Sequence, residues 1–204
     1  MKKNQSIANP YETIKIGSQV WMKKNLDRDT FNNGDKILEV KSLDELQKAN
    51  KKSTPAWCYY GFEEKNGLIY GKLYNFYAIN DKRGLAPEGF SIPTSDDWNV
   101  LIDFLGDDEE VANLKLRGTE HWLKDTVFKQ YNGNNETKFT ALPGGRYTAD
   151  SFEGIEANAF FWGHEILPTQ KKSSYTHIYY LDGEFNKRYC DYNYFLSVRC
   201  ISVK

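Results

Sequence analysis

The chain has 204 residues, 40% of them hydrophobic and 27% charged, which is long enough to bury a substantial core without disulfide or metal staples. Lys and Arg number 27 against 28 Asp and Glu, so the net charge is −1 and no general electrostatic pull toward nucleic acid or an anionic membrane exists. Aromatic residues make up 15% (14 Tyr, 12 Phe and 5 Trp), too many for a disordered chain, and no run approaches the roughly 20 apolar residues of a membrane span.

Residues 1–11 carry no pattern and read as a flexible N-terminus, with a single domain over 12–204. Lys2 and Lys3 are not followed by an apolar stretch of signal-peptide type, so the expected compartment is the cytoplasm; the alternative is an exported or surface-displayed protein whose leader is absent from this sequence. The alternation from Ile14 to Met22, turned at Gly17, predicts a β-hairpin leading into Asn25-Leu26. Ser42 and Glu45 form a capping-box pattern ahead of a short helix ending near Asn50, broken by Lys51, Lys52, Ser53 and Pro55. Two aromatic runs follow, Trp57–Tyr60 and Leu68–Ile79, separated by the turn-prone Glu63–Gly67; the second reads as a strand passing into a short helix. After Pro93, Thr94 caps and Asp97 sits at N3. Trp98, Leu101, Ile102 and Leu105 then mark one helical face, and Gly106 stops it. Asp107–Leu116 reads as another short helix with acids at its positive end. Beyond about Gly118, clusters of Gly, Asn and Thr separate Phe139–Leu142, Phe160–Trp162, Ile178–Leu181 and Ser197–Ser202, a loop-rich antiparallel β pattern. The expected class is therefore α+β.

Seven blocks in fixed order then become recognisable. Ile16–Met22 with Asn25-Leu26, Asn33-Gly34-Asp35, Trp57–Tyr60, Tyr70–Ala78, Ala86–Trp98, Phe139–Arg146 with Phe161-Trp162, and Ser197–Cys200 together resemble the Fibrobacter succinogenes major paralogous domain over nearly the whole chain. That family is similar to the C-type lectin-like fold in the variant of formylglycine-generating enzymes, the sulfatase-modifying factors. The resemblance implies two main helices and small twisted antiparallel sheets, and little chemistry. Ala86, Ser91 and Phe161 stand where the family pattern has Cys, His and a second Trp, so a disulfide through position 86 is not formed.

The residues offer few catalytic patterns. Cys58, Cys190 and Cys200 form no CxxC pair, and their odd number suits a reducing compartment. His121, His164 and His177 lack metal-ligand spacing, and no nucleophile elbow, phosphate loop or dinucleotide fingerprint occurs, so neither a catalytic nor a metal residue is assigned. No cofactor is expected. The oxygen-rich Asn25–Asp35 departs from the EF-hand pattern and reads as Asx turns, with a structural calcium ion as the alternative. Pro143–Arg146 invites a phosphate-loop reading, but no helix pattern follows it, and the resemblance implies a framework turn; Arg199 reads as paired inside the fold.

The segment 175–195 is rich in Tyr interleaved with Asp, Asn, His and Gly, the composition of a binding surface built from stiff amphipathic rings. The candidate ligand-binding residues are Tyr175, His177, Tyr179, Asp182, Asn186, Tyr189, Asp191, Tyr192, Asn193 and Tyr194, with Trp162 and His164 alongside. The expected function is a non-catalytic recognition module whose partner is a protein in preference to a glycan, with neither nucleic acid nor membrane insertion. The alternatives are an oxidase acting through Cys190, which the resemblance brings with it, and a self-associating structural or surface accessory protein.

Overall fold

The computed structural model describes residues 10–106, 108–123, 133–179 and 188–203, so most of the expected flexible N-terminus, together with Asp182 and Asn186, lies outside the described residues. The expected hairpin forms from β1 (Thr13–Ile16) and β2 (Gln19–Met22), followed by β3 (Leu38–Glu39) and α1 (Leu43–Lys51). Ser42 Oγ accepts from Glu45 N at 3.3 Å, but the Glu45 carboxylate reaches one residue further back than a capping box requires, accepting from Lys41 N at 2.8 Å. Next come β4 (Ala56–Cys58), α2 (Glu64–Tyr70), β5 (Leu73–Asn75), α3 (Phe76–Ile79) and β6 (Phe90–Ser91). Helix α4 (Ser95–Leu105) has its full capping box: Thr94 Oγ1 accepts from Asp97 N and Asp97 Oδ2 accepts from Thr94 N. Helix α5 (Glu109–Leu116) starts at an Asp108 cap. The remainder is β7 (Gly144–Tyr147), β8 (Phe152–Ile155), β9 (Asn158–Leu167), β10 (Lys172–Tyr179), β11 (Arg188–Asp191), β12 (Phe195–Leu196) and β13 (Ile201–Ser202).

The class is α+β, with five α-helices among the described residues rather than two, and with larger sheets than expected. One sheet has the order β1-β2-β13-β6, so the last strand closes on the first hairpin. The other runs β11-β10-β9-β7-β12-β5-β4-β3, with β8 on β7, and includes parallel pairings of β3 with β4 and of β7 with β9. Helix α2 takes up Glu64–Gly67 of the segment expected to turn, with Glu63 extended ahead of it. Gly67 has a packing role there, because a Cβ would collide with the Tyr59 ring lying against this helix. Gly144-Gly145-Arg146, expected as a turn, is strand instead: Gly145 at φ +63 brings the backbone against Glu153 O and the Tyr60 ring, where a side chain would clash.

Over residues 159–163 strand β9 is buried on both faces, and its alternation sorts residues into two cores. Phe160 and Trp162 enter a cluster with Met22, Phe76, Leu196 and Cys200, while Ala159 and Phe161 enter one with Trp98, Leu101, Phe139 and Ile178. Two polar residues with no solvent exposure to speak of tie the framework together. Arg199 is paired inside, as expected, but with neutral acceptors only: Asn25 Oδ1 takes Nε and Nη2, Met22 O and Phe139 O take Nη1, and Thr140 O takes Nη2. Burial brings its pKa down to about 9, so at neutral pH the guanidinium remains charged. Asn75 uses its whole amide: Oδ1 accepts from Ala56 N and Ala78 N, both at 3.0 Å, and Nδ2 donates to Thr54 O at 2.9 Å and to Asn50 Oδ1 at 3.5 Å.

Candidate functional site

Asn75 fixes the start of α3, and around that helix four chain segments converge. These are the end of α1 with the loop after it, α3 and its following loop, the turn between β9 and β10, and the turn between β11 and β12. Asn50 Nδ2 donates to Asn193 O at 2.9 Å, Tyr192 N to Lys171 O at 3.1 Å, and Phe76 N to Tyr192 O at 3.4 Å, so the last turn is tied to all three neighbours. The Tyr192 ring lies flat on Phe76, with centroids 3.6 Å apart and planes within 5°, and Tyr77 meets it edge-on at 6.2 Å. Phe76 is buried, so Tyr192 is held as a platform by the ring beneath it. Burial and the neighbouring Tyr77 raise the Tyr192 pKa above its ordinary value, keeping the phenol neutral at physiological pH.

Three adjoining clefts follow this junction. The first, about 340 Å³, is bordered by Lys51, Gln170, Lys171, Asp191, Tyr192 and Asn193. It shares Ser53 and Tyr77 with a second of about 500 Å³ that runs past Lys82 and Arg83. The second shares Asn80 and Asp81 with a third of about 290 Å³, walled by Ile79, Leu85, Ala86, Phe90 and Ile92 and ending at His164. Through these shared residues the clefts adjoin in series as a shallow groove whose ends are Asp191, Tyr192 and Asn193 on one side and His164 on the other, sequence candidates from separate parts of the chain. The other groove residues were missed by the sequence reading. Lys51, Tyr77 with Asn80, and Lys171 lie in three unrelated stretches, and only the fold brings them together.

The remaining candidates lie elsewhere. Trp162 is fully buried and donates from Nε1 to Tyr74 O at 2.7 Å; Tyr175 is 8% exposed. Neither belongs to a surface, because β9 and β10 lie within the sheet and this face of them is packed over. Tyr175 and Tyr194 instead flank Arg146, whose guanidinium carbon stands 4.2 Å from the Phe160 ring centre, 5.5 Å from Tyr175 and 5.4 Å from Tyr194, with Glu153 as its ion partner. Tyr189 donates to Glu165 Oε2 at 3.3 Å. His177 stacks between Phe160, at 4.6 Å, and Tyr179, at 5.7 Å, with Nε2 2.5 Å from Asn158 Oδ1.

Burial, then the positive charges of Arg188 and Arg146, bring the His177 pKa down to about 4. The unfolded chain binds this proton near pH 6.5 and the folded chain only near pH 4, so His177 costs the fold stability as pH falls between those values. The variant His177→Gln should therefore gain on the parent protein in urea midpoint as pH drops from 7 to 4. Equal pH dependence of the two proteins would remove this assignment.

All three cysteines are free and buried, and desolvation pushes the Cys190 thiol well above its ordinary range, so no thiolate is present at neutral pH. An aromatic disulfide reagent should titrate no thiol in the native protein and three after denaturation. In the Asn25–Asp35 segment the carboxylates face cations: Asp27 pairs with Lys72, Asp29 with Lys36 at 2.8 Å and Asp35 with Arg83 at 3.0 Å. Among the described residues no group of three or more His, Cys, Asp or Glu gathers where a metal ion could be held, and no helix is long and apolar enough to cross a membrane.

No curated protein and no solved structure matches the chain. Residues 14–202 match the Fibrobacter succinogenes major domain, from the first hairpin through the strand that closes on it. The chain is a member of the Fibrobacter succinogenes major domain family.

Proposed function

We propose that the chain is a non-catalytic recognition module, built on a C-type lectin-like framework of the formylglycine-generating-enzyme type, that captures a protein ligand along the groove from Lys171 to His164. The observation that carries this reading is the Tyr192 platform, seated on Phe76 within the groove and tied to α1, α3 and the β9–β10 turn. Rings held this way bury contact area without losing side-chain freedom on binding, which is where small aromatic surfaces gain their affinity. The groove concentrates such rings together with amides, lysines and an apolar end, whereas the thiols lie under the surface.

The test is a screen of displayed peptides and arrayed glycans against the native protein. Binders should be lost when Ser53, exposed where the first two clefts meet, is replaced by Trp; because Ser53 sits at φ +54, the bulky ring should lower the unfolding midpoint slightly, and a retained cooperative transition shows that the variant is folded. Binders that persist in Ser53→Trp and in Tyr192→Ala alike would place recognition elsewhere and end this reading.

A further inference from the structure

The charge and shape of the groove select a ligand class within the recognition reading, on which this inference rests. Lys51, Lys82 and Lys171 are exposed along it, and none makes an ion pair among the described residues. Of the two acids on the same path, Asp81 is committed to Arg83, at 2.8 Å, and that guanidinium is shared with Asp35 at 3.0 Å. Among the described residues that line the groove, Asp191 is the one acid not engaged by a guanidinium, and Asp81, which also feels Lys82, is already neutralised by Arg83, so a cationic strip lies on a chain whose net charge is −1. The side-chain amides of Asn80, Gln170 and Asn193 stand along the same walls, each offering a donor and an acceptor. At the far end the polarity changes: Ile79, Leu85, Ala86, Phe90 and Ile92 line the apolar side of an open recess.

We infer that the groove takes an extended acidic peptide segment, with carboxylates along the Lys51–Lys171–Lys82 strip and one apolar side chain seated in the recess beside His164. A linear ligand suits the site because the three clefts adjoin in series through shared residues. Side-chain amides match a peptide backbone, unpaired lysines match carboxylates, and an apolar recess at one end calls for a Leu, Ile or Phe side chain. An acidic sugar chain would satisfy the lysines and leave the recess unfilled. Rim charges of this kind act mainly on association rate and selectivity, and the seated side chain supplies the anchor.

The experiment is selection of random linear peptides on the intact protein, followed by titration of a fluorescent copy of an enriched sequence. Enriched peptides should carry Asp or Glu to one side of a single large apolar residue, and binding should weaken as salt rises. The double variant Lys51→Glu/Lys171→Glu should lose affinity by about tenfold or more, and a peptide with Lys in place of its acids should recover it. Ala86→Trp, which fills the recess, should cost a similar about tenfold and remove the preference for the apolar residue. Unfolding midpoints of the exposed lysine variants and of Ala86→Trp, a half-buried position, establish which are folded, and the lysine pair alone tests the assignment if Ala86→Trp is not. Neutral or basic enriched sequences, or affinities indifferent to these substitutions, would overturn the acidic-peptide assignment. Polygalacturonate, used as a second probe, separates the two levels. If it binds in a Tyr192- and Ser53-dependent way while no peptide does, the peptide class falls and the recognition groove stands. If neither probe depends on the groove, both fall.

Discussion

Replacement of Arg199 by Met should lower the unfolding free energy by about 4 kcal/mol, near the upper end of what a single substitution does. The guanidinium spends all five N–H donors on Asn25 Oδ1 and the carbonyls of Met22, Phe139 and Thr140, and its plane lies over Phe139 at 4.4 Å. Met fills much of the same volume but strands these acceptors away from water, at about 1–3 kcal/mol for each that finds no new donor. Release of the buried charge offsets part of that, because no carboxylate balances it. Arg199→Lys keeps the charge and loses the fork, so it should recover less than half of the difference. Urea unfolding by fluorescence measures both, and a loss under about 1 kcal/mol for Met would mean that the acceptors reach water without Arg199.

Asn75→Ala should cost about 3 kcal/mol, since it strands the Ala56 and Ala78 amides and the Thr54 carbonyl in one step. It also removes the cap of α3 and the tie to Asn50, which holds Asn193. A ligand-binding defect should therefore accompany the stability loss at temperatures where the variant is still folded. Asn75→Asp is the sharper control. Its oxygens can serve both amides, but the ionised carboxylate faces Thr54 O, so the variant should regain stability on acidification, when the protonated carboxyl group can donate there. A pH-independent deficit in Asn75→Asp would show that the donor side of this amide carries little.

Local signals anticipated the elements that are set locally. The α4 helix is legible in its cap, its apolar spacing and its glycine stop, and the first hairpin in its alternation. Helix α2 is not, because Gly67 usually marks a turn; here it is required by the Tyr59 ring, a contact with a residue outside the helix. The tyrosine-rich segment is divided by strand geometry. Tyr175 sits on an interior strand whose face is covered, whereas Asp191, Tyr192 and Asn193 lie at the end of an edge strand and in the turn after it, where side chains reach solvent. Composition cannot separate these cases, since the same ring serves a core and a binding surface. The groove itself was illegible. Its walls come from residues near 50, 80, 90, 170 and 192, and the only sequence hints of it were His164 and the Tyr192 turn.

The closing strand at Ile201–Ser202, laid between Trp21 and Ser91, governs how the polypeptide must reach its shape. The amino-terminal hairpin emerges from the ribosome nearly the whole length of the chain ahead of the partner that covers it, so its inner edge waits unprotected while synthesis continues. Such distant pairing folds slowly, and the waiting edge is the point at which a nascent copy is most open to chaperones or to another copy of itself.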